Sequence, residues 1–474
     1  MMDYGKIDEG ILSRLSEIVG EGNLLVADKI SEDYSHDEFS LHEIRKMPAV
    51  VVKPESTQAV SGILCFADEQ RIPVTPRGGG TGLCGGCVPV FGGILLSLER
   101  MNAIEEVDSE NMTITCQAGV RLTDLYAESE KSGLFFPPHP GDESAMVGGL
   151  IATNAGGARA VKYGVVRSFV REVEVVLAGG DVVRTGGKML KNSSGYSLLH
   201  LLIGSEGTLG VITKATISLM APPGVTQTLI APFRSAREAL GAVPHVMNRG
   251  IIPMALELLE RKAITVLEKN LNLSWPCKEG DFFLMAINDG LNESEIDRKA
   301  GSIAEICSEH GALDILVADS SAKQREVLHM RSMMYESIKP YTVETLDISL
   351  PRSEMAGHVE RVTQLSEEYD MWISTYGHAA DGNLHSHITG ARFESGSPVM
   401  LDENVWRTKY PELRDAIHDD ARRRGGAISG EHGIGLVKKN YLSSFLGERQ
   451  IELMRGIKST FDPHSIMNPG KIFD

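Results

Sequence analysis

The stretch Val74-Thr-Pro-Arg-Gly-Gly-Gly-Thr-Gly-Leu-Cys-Gly-Gly-Cys87 constrains this chain more than any other, because five of the eight residues from Gly78 to Gly85 are glycine. Glycine accepts backbone conformations that a side chain forbids. A loop so built can turn bare N–H groups toward a phosphate, with Arg77 and Thr81 as side-chain donors. The pattern reads as a pyrophosphate cradle. Gly80-x-Gly82-x-x-Gly85 also matches the nicotinamide-type dinucleotide fingerprint, which requires a helix directly after the glycines. Here the chain continues Val88-Pro-Val-Phe-Gly-Gly-Ile-Leu-Leu-Ser-Leu98, with a proline, two glycines and then a strand-like run. The expectation is therefore phosphate binding on a different architecture.

Two further glycine-dense stretches follow: Gly148-Gly-Leu-Ile-Ala-Thr-Asn-Ala-Gly-Gly157 with Tyr163-Gly164, and Leu202-Ile-Gly-Ser-Glu-Gly-Thr-Leu-Gly-Val-Ile-Thr213. Three such loops within one domain length suit an extended ligand touched at several points, a flavin dinucleotide rather than a mononucleotide. Before the first of them the periodicity predicts a helix at 8–20 and a strand at 49–54. A helix starting at Ser56 carries Val60, Ile63, Leu64 and Ala67 on one face. Strands at 72–75, 94–98, 104–107 and 112–117, a helix at 121–131 stopped by Gly133, and a hairpin of 170–177 with 182–184 complete this part.

At 474 residues the chain calls for two or three domains. Ala221-Pro-Pro-Gly224 is the expected boundary. Beyond it glycine clusters give way to alternating strands and helices (227–233, 235–249, 251–258, 260–270, 282–287, 293–310), an α+β layer. A helix over 321–338 carries Val327, Met330, Arg331 and Met334 on one side, and Arg331 reads equally as a carboxylate clamp or an exposed charge.

The net charge, 47 basic against 64 acidic residues or −17, argues against nucleic acid as a partner. Met1 to Gly20 is broken by charged residues and does not read as a secretory signal, so a cytoplasmic protein is expected, with peripheral attachment at the inner membrane left open. Six cysteines are no disulfide framework, and Cys84-x-x-Cys87 lacks a second pair for a zinc site.

The chemistry gathers near the C-terminus. Residues 371–378 and 383–389 read as strands joined through Asp381-Gly382, which places His385 and His387 on one face with His378 across the turn. After a helix near 411–424, Ala427-Ile-Ser-Gly-Glu-His-Gly-Ile-Gly435 flanks Glu431 and His432 with glycines. Two His and a Glu leave open positions on a divalent ion, and a spare His can act as base. Flavin and Lewis acid together imply oxidation of a carbon that carries a hydroxyl.

The motifs Pro76-Arg-Gly-Gly-Gly-Thr-Gly82, Thr153-Asn-Ala-Gly-Gly157, Gly195-Tyr, 203–213, Gly377-His-x-x-Asp-Gly-Asn-Leu-His385, Gly430-Glu-His-Gly433 and Asn468-Pro-Gly-Lys-Ile-Phe473 resemble the FAD-linked 2-hydroxyacid dehydrogenases. These include D-lactate dehydrogenase, the glycolate oxidase catalytic subunit and D-2-hydroxyglutarate dehydrogenase, within the vanillyl-alcohol-oxidase superfamily. The resemblance covers roughly residues 45 to 474. It implies an α+β fold: an N-terminal helical segment (1–44), a two-part PCMH-type FAD-binding domain (45–223), a ferredoxin-like cap domain (224–425) and a C-terminal segment returning to the flavin (426–474).

For FAD it implies contacts from Pro76, Arg77, Gly78, Gly79, Gly80, Thr81 and Gly82. Further contacts fall at Pro138, Gly141, Gly148, Gly149, Asn154, Gly157, Gly164, Glu206, Gly210, Ile212 and Asn468. It further implies His378, His385 and Glu431 as ligands of a Zn, Fe or Mn type ion, His432 as base and Arg331 as the contact for the substrate carboxylate. The implied activity is oxidation of a short D-2-hydroxyacid, D-lactate first and glycolate next, with D-2-hydroxyglutarate or a non-catalytic electron-transfer subunit as alternatives. Lys191-Asn-Ser-Ser-Gly-Tyr-Ser-Leu198 and Ser35-His-Asp-Glu38 point toward an electron-transferring flavoprotein as acceptor. A quinone or an iron–sulfur partner subunit, and a homodimer, stay open.

Three departures from the family pattern stand out: Ala380 before Asp381, His387 with Thr345 where hydroxyglutarate enzymes carry Asn and Lys, and His139 in place of an Asp.

Overall fold

The computed structural model describes residues 4–39, 44–318 and 320–473. The chain forms two compact units, one of Met1–Gly156, Val165–Pro222 and Glu431–Asp474, the other of Gly157–Gly164 and Pro223–Gly430. Gly157 and Gly164 lie in the second unit.

In the first unit a four-stranded sheet runs in the order Leu24–Val26, Val50–Val52, Ile94–Ser97, Val74–Arg77, its last three strands parallel. The helix Thr57–Glu69 starts where Ser56 accepts a bond from the Ala59 N–H, and it buries Val60, Ile63, Leu64 and Ala67 as the spacing predicts. A five-stranded antiparallel sheet follows the order Ile104–Asp108, Thr113–Gln117, Val211–Ser218, Val170–Val176, Val182–Gly186. Glu174 ties the two layers: its carboxylate accepts from Thr57 Oγ1 at 2.6 Å and Thr213 Oγ1 at 3.1 Å. Among the described residues no helix follows the first glycine loop before Leu122–Lys131, as the non-nicotinamide reading requires. The C-terminal segment lies along the edge strand Val74–Arg77, with the Val74 N–H donating to Ile466 O at 2.8 Å and the Asn468 N–H to Val74 O at 2.7 Å.

The second unit is built on a seven-stranded antiparallel sheet. Its order is Leu316–Val317, Val225–Phe233, Phe282–Gly290, Ala255–Glu260, Ile373–His378, Asn383–Thr389, Thr342–Ser349. One face of it packs Phe283, Met285, Leu259, Met330 and Met334 around Trp275 and Trp372.

Three expectations shift. The strand placed at 251–258 begins at Ala255, since Pro253 has no N–H to contribute to a ladder. The helix expected over 321–338 is two helices, Ser321–Ser332 and Met334–Ile338, broken at Met333. The helix expected near 411–424 begins eight residues earlier, at Glu403, with Asp402 as its cap and Pro411 inside it. Among the described residues no helix is long and apolar enough to cross a membrane.

Candidate active site

The first unit assembles the glycine loops. A Cβ on Gly78 would touch Gly149 at 3.7 Å, and one on Gly207 would meet Pro76 at 3.2 Å. The Glu206 N–H donates to Ala152 O at 2.8 Å. The second glycine-dense stretch holds a short helix, Val147–Thr153, whose left-handed cap is Asn154. A Cβ on Gly148 would collide with Ala118 Cβ at 2.7 Å, so that glycine serves close packing. One on Gly149 would meet nothing within 4 Å. Gly149 thus faces open space beside Gly78.

Several of the expected contacts do structural work. Arg77 is buried, with Nη1 donating to His36 O at 2.6 Å and to Cys87 Sγ at 3.1 Å, and its guanidinium lies over Gly80, whose φ is +76°. That side chain is thus engaged within the loop itself. Cys84 and Cys87 are loop residues: Cys84 Sγ donates to Gly433 O at 3.2 Å, and burial pushes the Cys87 thiol up to about 11. Glu206 receives the N–H groups of Ile434 and Gly435, each at 2.8 Å, and so pins the glycine-flanked loop that carries Glu431 and His432. Asn468 Nδ2 donates to Gly86 O at 2.9 Å and Glu206 O at 2.7 Å. Its Oδ1 is buried with no partner among the described residues. The open face at Gly149 and this unsatisfied acceptor fit a ligand that brings phosphates and hydroxyl or amino donors. Gly210 and Ile212 pack into the five-stranded sheet, and the carbonyl of Pro138 accepts from the Tyr126 hydroxyl at 2.6 Å. Gly141 is exposed, and Gly164 caps the helix Ala160–Tyr163 of the second unit. Glu431 lies against Gly156, and His432 Nε2 is 3.9 Å from Glu431 Oε1.

The second unit gathers the imidazoles. The paired strands Ile373–His378 and Asn383–Thr389 set the ring centres of His378 and His385 5.3 Å apart, with His385 and His387 at 6.5 Å. The ring of Tyr376 stacks on His387 at 4.7 Å, and His387 Nδ1 is 2.9 Å from Thr345 Oγ1.

Two carboxylates that no sequence motif marks lie against these rings. Glu257, in the strand Ala255–Glu260 and 0% exposed, meets His378 Nδ1 at 2.7 Å through Oε1, while Oε2 accepts from Arg331 Nε at 3.0 Å and from Nη2. The neighbouring His378 and Arg331 overcome its burial and hold its pKa down at about 2. It is therefore ionised and can only accept, which puts a proton on Nδ1 of His378 and turns Nε2 away from it. Asp347, also 0% exposed, sits 3.6 Å from His385 Nδ1 and accepts from Asn383 Nδ2 at 2.7 Å, Ser429 Oγ at 2.7 Å and the Gly430 N–H at 2.9 Å. The signal available in the sequence was a glutamate flanked by Leu256 and Leu258, since a charge in a strand buried on both faces needs partners. Arg331 is no exposed edge charge.

The chain matches the family model described as FAD linked oxidases, C-terminal domain, over residues 222–472, and that of an FAD binding domain over 48–186. It is 45% identical over 423 residues to a D-lactate dehydrogenase of Archaeoglobus fulgidus, covering 89% of this chain and 91% of that one. With the glycolate oxidase subunit GlcD of Bacillus subtilis it shares 36% identity, covering 98% and 97%. The fold is similar to that of a 4-ethylphenol oxidase from Gulosibacter chungangensis, with a TM-score of 0.78 at 17% identity over 99% of both chains.

Proposed function

The chain belongs to the FAD-linked oxidases, and from that premise we propose that it oxidises a short D-2-hydroxyacid, D-lactate or glycolate, to the 2-oxoacid. The observation that carries this reading is the Arg331–Glu257–His378 chain beside His385, which sets a cation for a carboxylate next to a pair of imidazoles. FAD, when bound, supplies the two-electron acceptor for the hydride that leaves C2. A Zn, Fe or Mn type ion would supply Lewis acidity toward the hydroxyl, held by His378, His385 and Glu431.

The donor set fits such an ion. His378 has Nδ1 on the buried Glu257 carboxylate and His385 has Nδ1 3.6 Å from that of Asp347, so Nε2 of each would ligate. Glu431 follows directly on Gly430, whose N–H is fixed to the Asp347 that neighbours His385. His432, next in the chain, takes the hydroxyl proton as general base. Arg331 takes the substrate carboxylate in a charge-assisted pair.

A small substrate is favoured because the Thr345 hydroxyl pairs with His387, so that position offers no ammonium for a distal carboxylate. The electrons then pass to a partner, an electron-transferring flavoprotein, a quinone or an iron–sulfur subunit; the relative named as a subunit supports such an assembly. Turnover of D-lactate, glycolate and D-2-hydroxyglutarate with an artificial dye acceptor, before and after removal of metal by a chelator, tests the reading. It requires the first two to be used in preference to the third, and the chelated protein to be inactive until metal is restored.

A further inference from the structure

We propose that Glu257 is a positioning residue shared by the metal ligand and the carboxylate clamp: one buried carboxylate fixes the imidazole of His378 and the guanidinium of Arg331 relative to each other. This rests on the reading of those two residues given above and adds a third that neither the motifs nor the family resemblance supplies.

The backbone explains half of the arrangement. Glu257 and His378 are register partners across adjacent antiparallel strands, so their side chains leave the sheet on the same face. Arg331 arrives from a different element, the helix Ser321–Ser332, and its guanidinium lies 5.3 Å from the centre of the Tyr376 ring. Within this cluster, Glu257 is the group that bonds to both. The two oxygens of one carboxylate cannot move independently, and neither can the two groups they hold. His385 has a separate carboxylate beside it, Asp347. Loss of Glu257 thus leaves Asp347 beside His385 and releases His378 together with the clamp.

A residue that merely stabilised the sheet would lower the melting temperature and leave ligand affinities alone. Glu257→Gln keeps the size but cannot accept from both partners as an ion. For the FAD-loaded protein, zinc affinity measured by competition with a chelator should fall about 10- to 100-fold, the usual cost of losing a residue that orients a metal ligand. The KM for D-lactate should rise at least about tenfold in the same variant, with FAD content unchanged. Glu257→Asp, which keeps the charge and shortens the reach, should fall between, and it replaces the Gln variant if that protein does not retain FAD. In a His378→Gln background, Glu257→Gln should cost no further zinc affinity.

Zinc affinity and KM within twofold of the parent protein in both Glu257 variants would overturn the proposal, as would a full additional zinc loss in the His378→Gln background. His378→Ala and His385→Ala separate the two levels. If they lose zinc and the Glu257 variants do not, only this inference fails. If they bind zinc as the parent does, the metal reading itself falls.

Discussion

Oε1 of Glu257 lies 2.7 Å from Nδ1 of His378, and its other oxygen holds the guanidinium of Arg331, so one buried anion is balanced by two cationic or donor groups from separate elements. Truncating Arg331 therefore does more than remove a substrate contact. Arg331→Leu leaves Glu257 with His378 alone in a site that is 0% exposed at the carboxylate. The expected destabilisation is about 3–5 kcal/mol, as for one partner removed from a buried pair, along with a large rise in KM for the hydroxyacid. Arg331→Lys should recover more stability than substrate affinity, because an ammonium cannot reproduce the fork. Thermal melts and steady-state kinetics on both variants check this; an unchanged KM in Arg331→Leu removes Arg331 from substrate binding.

His432 is assigned the proton from the substrate hydroxyl. His432→Ala should slow flavin reduction by about 100- to 10,000-fold while FAD stays bound. Single-turnover absorbance reads both at once, and reduction at the parent rate refutes the role.

Glu431 packs against Gly156, where a methyl group would collide with its carboxylate. Glu431→Gln should lose metal and turnover together, and Gly156→Ala should lower metal content by displacing the same side chain. Elemental analysis of the purified variants decides it, and a full metal complement in both argues for a different ligand.

The cradle makes contrasting predictions for adjacent glycines. A side chain at Gly149 projects into open space, so Gly149→Leu should fold normally and lose FAD, whereas Gly148→Leu should destabilise the apoprotein through Ala118. Flavin content after gel filtration, set against the melting temperature of the apoprotein, separates the two. Full FAD retention in Gly149→Leu places the cofactor elsewhere.

Burial pushes Glu260 up from 4.5 to about 7. The native state then holds a proton that the unfolded chain has released, so this group costs stability as the pH rises from about 4.5 to about 7. Glu260→Gln should gain on the order of 1 kcal/mol over the parent at pH 8 and nothing at pH 4. Melts across that range test the sign, and a gain largest at pH 4 contradicts it.

The glycine loops, the capped helix from Ser56, the switch to an α+β layer after Pro223 and the histidine pair on neighbouring strands were all legible in the chain, because each is fixed by local backbone chemistry or by periodicity. Arg331 was ambiguous from spacing alone, since a helix position says nothing of what faces it. Glu257, a charge between two leucines, signals only that it needs partners, and neither it nor Asp347 says which: their roles arise from strand register and from a helix far along the chain, and nothing near them in sequence names His378 or His385. Arg77 and Glu206 belong to a third case, in which side chains within glycine-rich loops hold the loops in shape. The break at Met333 and the early start at Glu403 reflect tertiary packing that overrides a periodic pattern.

The most direct test of the central claim is anaerobic mixing of the metal-replete, FAD-loaded protein with D-lactate, L-lactate, glycolate and D-2-hydroxyglutarate in turn, following the oxidised flavin absorbance. Rapid bleaching by D-lactate or glycolate, with L-lactate inert and D-2-hydroxyglutarate slow, is the predicted result. Bleaching by D-2-hydroxyglutarate alone, or by none of the four while FAD remains bound, contradicts it.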